Sequence, residues 1–423
     1  MAKSECNRAS GGGRALNFSP AVQRRALLIA SLIAVSTYYP RFIKEDGGLK
    51  AYPAAAQCML RGETPLHCEY GLSAYHPIVA LLAVPLVAMP MWLREIFWYL
   101  VLVGTLFASL RLCETLVRRL FPGNWNEREL AYFRILTFVL SLKFILAVLE
   151  NQSYDSIALV FILLGLLALV SERCVLAGAS LATAAALKVT PLIFLPYLLV
   201  KRRFAAAATF AGVYVFLTLL PDLLLPPKES WHSVVWVREV LLGPFFSDPT
   251  KLKFIFWVDD SPMNQSLRAA LARIFGTGEG TRQFATALHI VAGLYIFGVS
   301  AAMLKSVNNN RLIAVDGALL IISALLLSPV SSQSHFVGLM LPYSILAAVL
   351  VKDRPSRMFN AVGLLVSFIL LTATSNDLVG RAFTGWALWH SLPVLGTLIL
   401  GVQLGVLIWL GHSLFTERRG RST

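Results

Sequence analysis

A few short polar clusters interrupt a largely apolar chain, and they hold most of the residues capable of chemistry. Glu45-Asp46 stands just past the first apolar run and is followed by Gly47-Gly48. A carboxylate there could act as a general base, with the glycines letting the chain turn and a substrate come close. The plain alternative is a solvated loop acid. The same loop ends in Tyr75-His76-Pro77. Glu150-Asn151-Gln152-Ser153-Tyr154-Asp155 separates two apolar runs, and Asn264-Gln265-Ser266-Leu267 stands alone further on. Both contain an N-x-S tripeptide, and both equally suit a helix cap or a hairpin turn. Lys188 lies inside Ala184-Ala185-Ala186-Leu187-Lys188-Val189-Thr190-Pro191. A lysine in an apolar segment is costly unless it is paired or reaches water, so it is a functional candidate. Phosphate is a natural partner for it, and snorkelling to an interface is the alternative. His335 closes Ser328-Pro329-Val330-Ser331-Ser332-Gln333-Ser334-His335. It could accept a proton or bond a hydroxyl, although a lone loop histidine commonly does neither.

The elements that must position these residues are membrane helices. Of 423 residues, 57% are hydrophobic and 14% charged, and the mean hydropathy is +0.68. That composition excludes a soluble enzyme, a disulfide-stapled secreted domain and a disordered chain. The long apolar runs also exclude a transmembrane barrel, whose strands alternate in polarity. Basic minus acidic residues is 37 − 23 = +14. The cations cluster at segment ends, as the positive-inside rule requires, and no basic patch interleaved with aromatics points to nucleic acid. Five cysteines form no CxxC pair, so a zinc site is unsupported. No carboxylate or histidine cluster has metal-ligand spacing either.

Apolar runs fall near residues 26–43, 77–91, 94–113, 132–149, 154–171, 174–200, 203–226, 286–304, 311–330, 336–351, 359–375 and 387–412. The first follows Lys3, Arg8, Arg14, Arg24 and Arg25 without an A-x-A-like site, so it reads as an uncleaved span. Charge places residues 1–25 in the cytoplasm as an arm and 416–423 there as a tail, with 26–415 as one integral membrane domain. It places two large loops outside, about 44–75 and 227–285. Two segments resist simple crossing. Residues 77–91 are short and bounded by Pro77 and Pro90, which suits a segment lying along the interface. Residues 174–200 run between two cationic ends with Lys188 and Pro191 near the middle, which suits two half-helices. The expectation is an all-α polytopic membrane protein of roughly 10 to 13 spans, about 12 being the best count. No internal repeat is visible.

In this order the residues resemble glycosyltransferase family 87, integral membrane transferases of GT-C fold that use polyprenyl-phosphate sugars. The likeness runs from Asp46 through Tyr75-His76-Pro77, Asn151-Gln152, Ala-Leu-Lys188-x-x-Pro191 and Asn264-Gln265-Ser266-Leu267 with Arg273, to Ser328-Pro329, His335 and Pro342. It implies a GT-C-type fold with external loop helices. It also implies transfer of a hexose, mannose first, from the lipid-phosphate donor to a lipid-linked or envelope glycan acceptor. The bilayer would carry the donor, and the active site would face the periplasmic or extracellular side of the plasma membrane. No cofactor and no nucleic acid are implied. The resemblance points to the first-loop acid as the base: Asp46, because Gly47-Gly48 follow it and the family's acid is an aspartate, with Glu45 as the fallback. Lys188 would meet the lipid phosphate and His335 would position the acceptor. Tyr75, His76, Asn151, Gln152, Asn264, Gln265 and Arg273 complete the expected binding set. A transporter or lipid flippase would also explain an intramembrane lysine, but such proteins usually show related halves, and none is seen. A non-catalytic assembly partner is the third class.

Cys58 and Cys68 fall in the first loop, ten positions apart. An oxidising compartment would permit a disulfide there, with Gly62 and Pro65 letting the chain turn back. Two unrelated thiols are the alternative.

Overall fold

The computed structural model describes residues 36–44, 47–68, 75–243, 261–275, 310–352, 357–372 and 374–416, with isolated positions between 286 and 297. The chain divides into two compact units, Met1–Lys44 and Glu45–Thr423. In the first, residues 36–42 form a helical segment.

The second unit is all-helical among the described residues. Its described α-helices of five or more residues are α1 (Gly48–Leu60), α2 (Pro77–Leu82), α3 (Met91–Leu120), α4 (Glu127–Glu150), α5 (Asp155–Val170), α6 (Cys174–Leu187), α7 (Phe194–Val200), α8 (Phe204–Leu224), α9 (His232–Trp236), α10 (Leu267–Phe275), α11 (Ile313–Leu327), α12 (Met340–Lys352), α13 (Arg357–Thr372), α14 (Asn376–Trp389) and α15 (Leu392–Thr416). The 3-10 segment Gln333–Leu339 leads directly into α12.

Local sequence explains the boundaries. Asn126 opens α4 with a reciprocal cap: its Oδ1 accepts the Glu129 N–H at 2.8 Å, and Glu129 Oε2 accepts the Asn126 N–H at 3.1 Å. α6 ends where Lys188 takes an extended backbone, φ −146° and ψ 128°. Pro191 then opens a 3-10 turn before α7. The apolar stretch 174–200 is therefore broken at Lys188, in the half-helix arrangement its composition suggested. α6 packs on both α5 and α8; α5 and α6 are apolar all round and largely buried, whereas α8 leaves Phe204, Val215, Phe216, Leu223 and Leu224 exposed on its outer face. Small residues permit the packing of α6 on α8: a Cβ on Gly178 would lie 2.3 Å from the Ala206 carbonyl oxygen.

Among the described residues, four helical segments are long and apolar enough to cross a membrane: Met91–Leu120, Glu127–Glu150, Phe204–Leu224 and Gln333–Lys352. A fifth arises if Met358–Thr372 and Asn376–Trp389, bent by 81°, count together. The expected count of about twelve is not tested by this, since the runs near 26–43 and 286–304 lie largely outside the described residues. Within the described residues, length separates the remaining apolar helices from these. Asp155–Val170, Cys174–Leu187, Thr190–Val200 and Ile313–Leu327 are apolar but have 17 residues or fewer, below the ~20 that a full crossing needs.

Candidate functional site

Glu45 and Asp46 lie outside the described residues, which resume at Gly47. α4 and α5 are joined by a tight turn in which Gln152 takes φ +50°. That turn docks on the start of α1. Gly48 N–H donates to the Asn151 carbonyl at 3.0 Å, and Leu49 N–H donates to Gln152 Oε1 at 3.0 Å. These are first-turn groups that have no partner within their own helix. The Gln152 carbonyl in turn accepts from Trp98 Nε1 at 2.9 Å and from the Tyr52 hydroxyl at 3.4 Å. The approach needs glycine. A Cβ on Gly47 would sit 2.8 Å from the Asn151 oxygen, and one on Gly48 would sit 2.3 Å from the Tyr52 ring. Gly47 thus admits the neighbouring turn and Gly48 the Tyr52 ring, and Asn151 and Gln152 hold the start of α1.

Tyr52, Tyr75 and Tyr154 meet edge-on, with ring centroids 5.2 to 5.9 Å apart. The residue after Tyr154 is Asp155, the first of α5. Lys188 forms an ion pair with Asp155 Oδ1, and both side chains are largely buried, at 18% and 5% exposure. Ser153 Oγ donates to the other carboxylate oxygen at 2.8 Å. The pairing resolves how a cation persists in an apolar segment: a carboxylate at a helix N-terminus, where the helix dipole favours it, neutralises it. Asp155, Lys188, Ser331 and His335 line one cavity. His335 Nδ1 accepts the Ser332 N–H at 3.3 Å, which places the ring proton on Nε2.

The segment that presents Ser331 and His335 is held by the Asn264-Gln265-Ser266 turn. Asn264 Nδ2 donates to the Pro329 carbonyl at 2.9 Å, and its Oδ1 accepts the Ser331 N–H at 3.0 Å. Gln265 N–H donates to the Ser331 carbonyl at 2.8 Å. Arg273 clamps that turn from α10, donating to the carbonyls of Ser261 and Asn264 at 2.7 and 2.9 Å and to Ser391 Oγ at 2.8 Å. Of the residues singled out in the sequence, Lys188 and His335 therefore share a cavity. Asn151, Gln152, Asn264, Gln265 and Arg273 make hydrogen bonds to backbone that hold its surroundings. Asp155 has no role in the sequence reading. Its one signal was an acid opening an apolar helix, and a separation of 33 residues from Lys188 says nothing about pairing.

Tyr75 and His76 line a second cavity, together with Tyr52, Thr64, His232 and Trp236. Both His76 nitrogens are engaged: Nδ1 accepts the Ile78 N–H at 3.2 Å, so Nε2–H donates to Thr218 Oγ1 at 3.1 Å. Thr218 passes its own proton to the Tyr214 carbonyl at 2.8 Å. The structure joins Cys58 and Cys68 as a disulfide with Cα atoms 6.5 Å apart, inside the ~7 Å that such a bond spans. The loop it closes supplies Thr64, Pro65 and Leu66 to the second cavity wall. Glu63 stands beside the two sulfurs, which as a disulfide offer a metal no thiolate.

Comparison with known proteins adds two findings. The chain is 26% identical over 298 residues to the polyprenol-phosphate-mannose-dependent alpha-(1-2)-phosphatidylinositol pentamannoside mannosyltransferase of Mycobacterium tuberculosis, a match covering 70% of this chain. The match spans 63% of that relative's length. The family profile of glycosyltransferase family 87 matches residues 74–329, a stretch that includes Asp155, Lys188 and the Asn264-Gln265 turn. With well over half of its length inside that match, and with its paired lysine and the turn that holds the cavity segment within it, the chain belongs to glycosyltransferase family 87.

Proposed function

We propose that this membrane glycosyltransferase moves a hexose, mannose in the first instance, from a polyprenyl-phosphate sugar to a lipid-linked or envelope glycan acceptor on the outer face of the membrane. The observation that carries the reading is the cavity in which Lys188, inside the family match, meets His335, just past its end. The name of the mycobacterial relative supports mannose and a lipid-phosphate donor.

On this reading Asp46 removes the proton from the acceptor hydroxyl. The hydroxyl oxygen bonds to the sugar's anomeric carbon as the bond from that carbon to the phosphate oxygen breaks. The leaving polyprenyl phosphate takes the electron pair, and Lys188 meets the charge that develops on it. His335 orients the acceptor. No soluble cofactor enters, because the donor arrives activated and dissolved in the bilayer.

The test uses purified protein in detergent with polyprenyl-phosphate-[14C]mannose and a lipid extract as the acceptor source. Label should move into glycolipid, and Asp46→Asn should abolish transfer while donor binding persists. Full activity in Asp46→Asn would remove that residue from the mechanism. Movement of an intact lipid-phosphate sugar across proteoliposomes without bond cleavage would replace the reading with a transporter.

A further inference from the structure

We propose that the α3–α4 pair carries a binding site for an anionic glycerophospholipid, built on Arg111, Arg118 and Arg134 around Glu114. The site is separate from the cavity with Lys188 and stands whatever sugar or acceptor the transfer uses. Arg134 and Glu150 are sixteen positions apart on α4, about 24 Å along the axis. The cluster therefore lies across the membrane from the turn that docks on α1, in the leaflet that the cation distribution assigns to the cytoplasm.

Glu114 is buried on α3. Arg134 reaches it from α4 as a fork, Nε donating to Oε2 at 3.0 Å and Nη2 to Oε1 at 2.8 Å. Both carboxylate oxygens are thereby engaged. Arg111 and Arg118 approach the same carboxylate from about one turn to either side along α3, but at 3.6 and 3.9 Å, beyond hydrogen-bond range. Three guanidinium groups thus share one carboxylate, which leaves an excess of two positive charges. Arg111 and Arg118 are 57% and 54% exposed, so both keep donors at the surface. Their side chains converge on Glu114 although their backbones are two turns apart. A buried carboxylate that gathers two surface guanidinium groups in this way presets them for a phosphate, whose oxygens match the guanidinium fork.

The rest of the α3 face selects a lipid. Leu100, Gly104, Phe107, Arg111, Thr115 and Arg118 follow one another at three- and four-residue steps, and all are exposed. The stripe is apolar as far as Phe107 and cationic from Arg111, where the guanidinium carbon lies 5.1 Å from the Phe107 ring centroid. Leu100 and Arg111 are about 16 Å apart along the axis, close to the ~15 Å that one leaflet contributes to a ~30 Å hydrocarbon core. α3 itself has 30 residues, about 45 Å, so part of its C-terminal end must stand among headgroups. An acyl chain laid along Leu100 and Phe107 brings its phosphate to Arg111 and Arg118. Basic pockets between membrane helices suit anionic headgroups. A choline headgroup would bring its own cation to a surface already in positive excess. A soluble acidic partner would meet the arginines but leave the apolar stripe unused.

The experiment uses the purified full chain in a neutral detergent, adds phosphatidylglycerol or phosphatidylcholine, and counts bound lipid by native mass spectrometry. Phosphatidylglycerol should bind saturably, and phosphatidylcholine should not. Arg111→Gln and Arg118→Gln should each weaken phosphatidylglycerol binding about fivefold, and the double variant about 25-fold. If the double variant fails to fold, the single variants decide. Chain-free glycerophosphoglycerol should not displace the lipid, because the apolar stripe contributes to holding it. Arg128→Gln removes an exposed arginine of α4 outside the cluster and should leave the affinity unchanged. Equal retention of the two lipids, or displacement by the headgroup alone, would overturn the site. So would unchanged affinity in the Arg111 and Arg118 variants. An equal loss in Arg128→Gln would overturn it as well, since it would mean diffuse attraction to a basic surface.

Discussion

Gln152→Ala tests whether the Asn151-Gln152 turn positions the segment that follows the proposed base or merely connects two helices. The substitution removes the acceptor for the Leu49 N–H, now at 3.0 Å. That N–H is left unpaired beside a buried residue, at a cost of about 1–3 kcal/mol. It does not relieve the backbone, because Gln152 stands at φ +50°, where a residue with a Cβ is strained by about 1 kcal/mol. Gln152→Gly loses the same acceptor but sheds that strain, so it should be the milder change by about 1 kcal/mol. Thermal inactivation in detergent would rank wild type above Gly and Gly above Ala.

The functional consequence follows from connectivity. Gly47 packs on this turn and Gly48 donates to it, and Asp46, the base on the proposed reading, is the residue before them. A shift of the order of 1 Å in a catalytic group can cost about a hundredfold in rate. Gln152→Ala should therefore lower kcat of sugar transfer by between about ten- and a hundredfold, and leave the donor KM near wild type because the Lys188 cavity keeps its ion pair. Wild-type kcat in the Ala variant, or a Gly variant less stable than the Ala one, would refute the positioning role.

Three further outcomes are expected. Asp155→Asn frees no new space but removes Lys188's counter-charge, so on the proposed reading inhibition by polyprenyl phosphate should strengthen several-fold, measured as its Ki. Cys58→Ser or Cys68→Ser should lower stability by about 3 kcal/mol, the value for closing a loop of this length, and alkylation of the unreduced wild type should leave both positions unlabelled. The imidazole of His232 is held below its ordinary value of 6.5 by burial. The unfolded chain then binds more protons than the folded one at acid pH, so stability is full above that value and falls as pH drops below it; His232→Leu should flatten the thermal-inactivation profile between about pH 7 and pH 5.

Composition made the helical class legible, because a chain with 57% hydrophobic and 14% charged residues has few other options. The break at Lys188 was legible too, since a charge and a proline three residues apart cannot continue an apolar helix. Span length was less so. An apolar run marks a buried segment, but its helix ends are set by turns such as 171–173 and 201–203, whose Glu172 and Arg202 take positive φ. The polar motifs illustrate a second limit. Asn151, Gln152, Asn264, Gln265 and Arg273 stood out because polar residues are rare here. Rarity marks a demand for hydrogen bonds without saying whether substrate or backbone meets it. In the structure, backbone groups supply many of their partners. Asp155 and His232 escaped notice for the opposite reason: their significance lies in residues 33 and more than 150 positions away, Lys188 for the one and Tyr75 for the other.

The Asp155–Lys188 pair has a consequence for how a charged lipid can be handled inside a membrane protein. A lone lysine at this depth would carry the full penalty of burial, and it would grip any phosphate, donor and product alike. Pairing lowers the penalty and, on the proposed reading, makes an incoming phosphodiester donor compete with a carboxylate already in place. The donor phosphate carries one negative charge, and the leaving phosphomonoester carries more. Competition against a fixed carboxylate therefore favours the phosphate increasingly as the bond to the sugar breaks. An interaction that strengthens along the reaction path accelerates chemistry, whereas one equal at all stages only tightens binding. On the proposed reading, Asp155 is what converts Lys188 from a general phosphate anchor into a group whose effect is concentrated at bond cleavage.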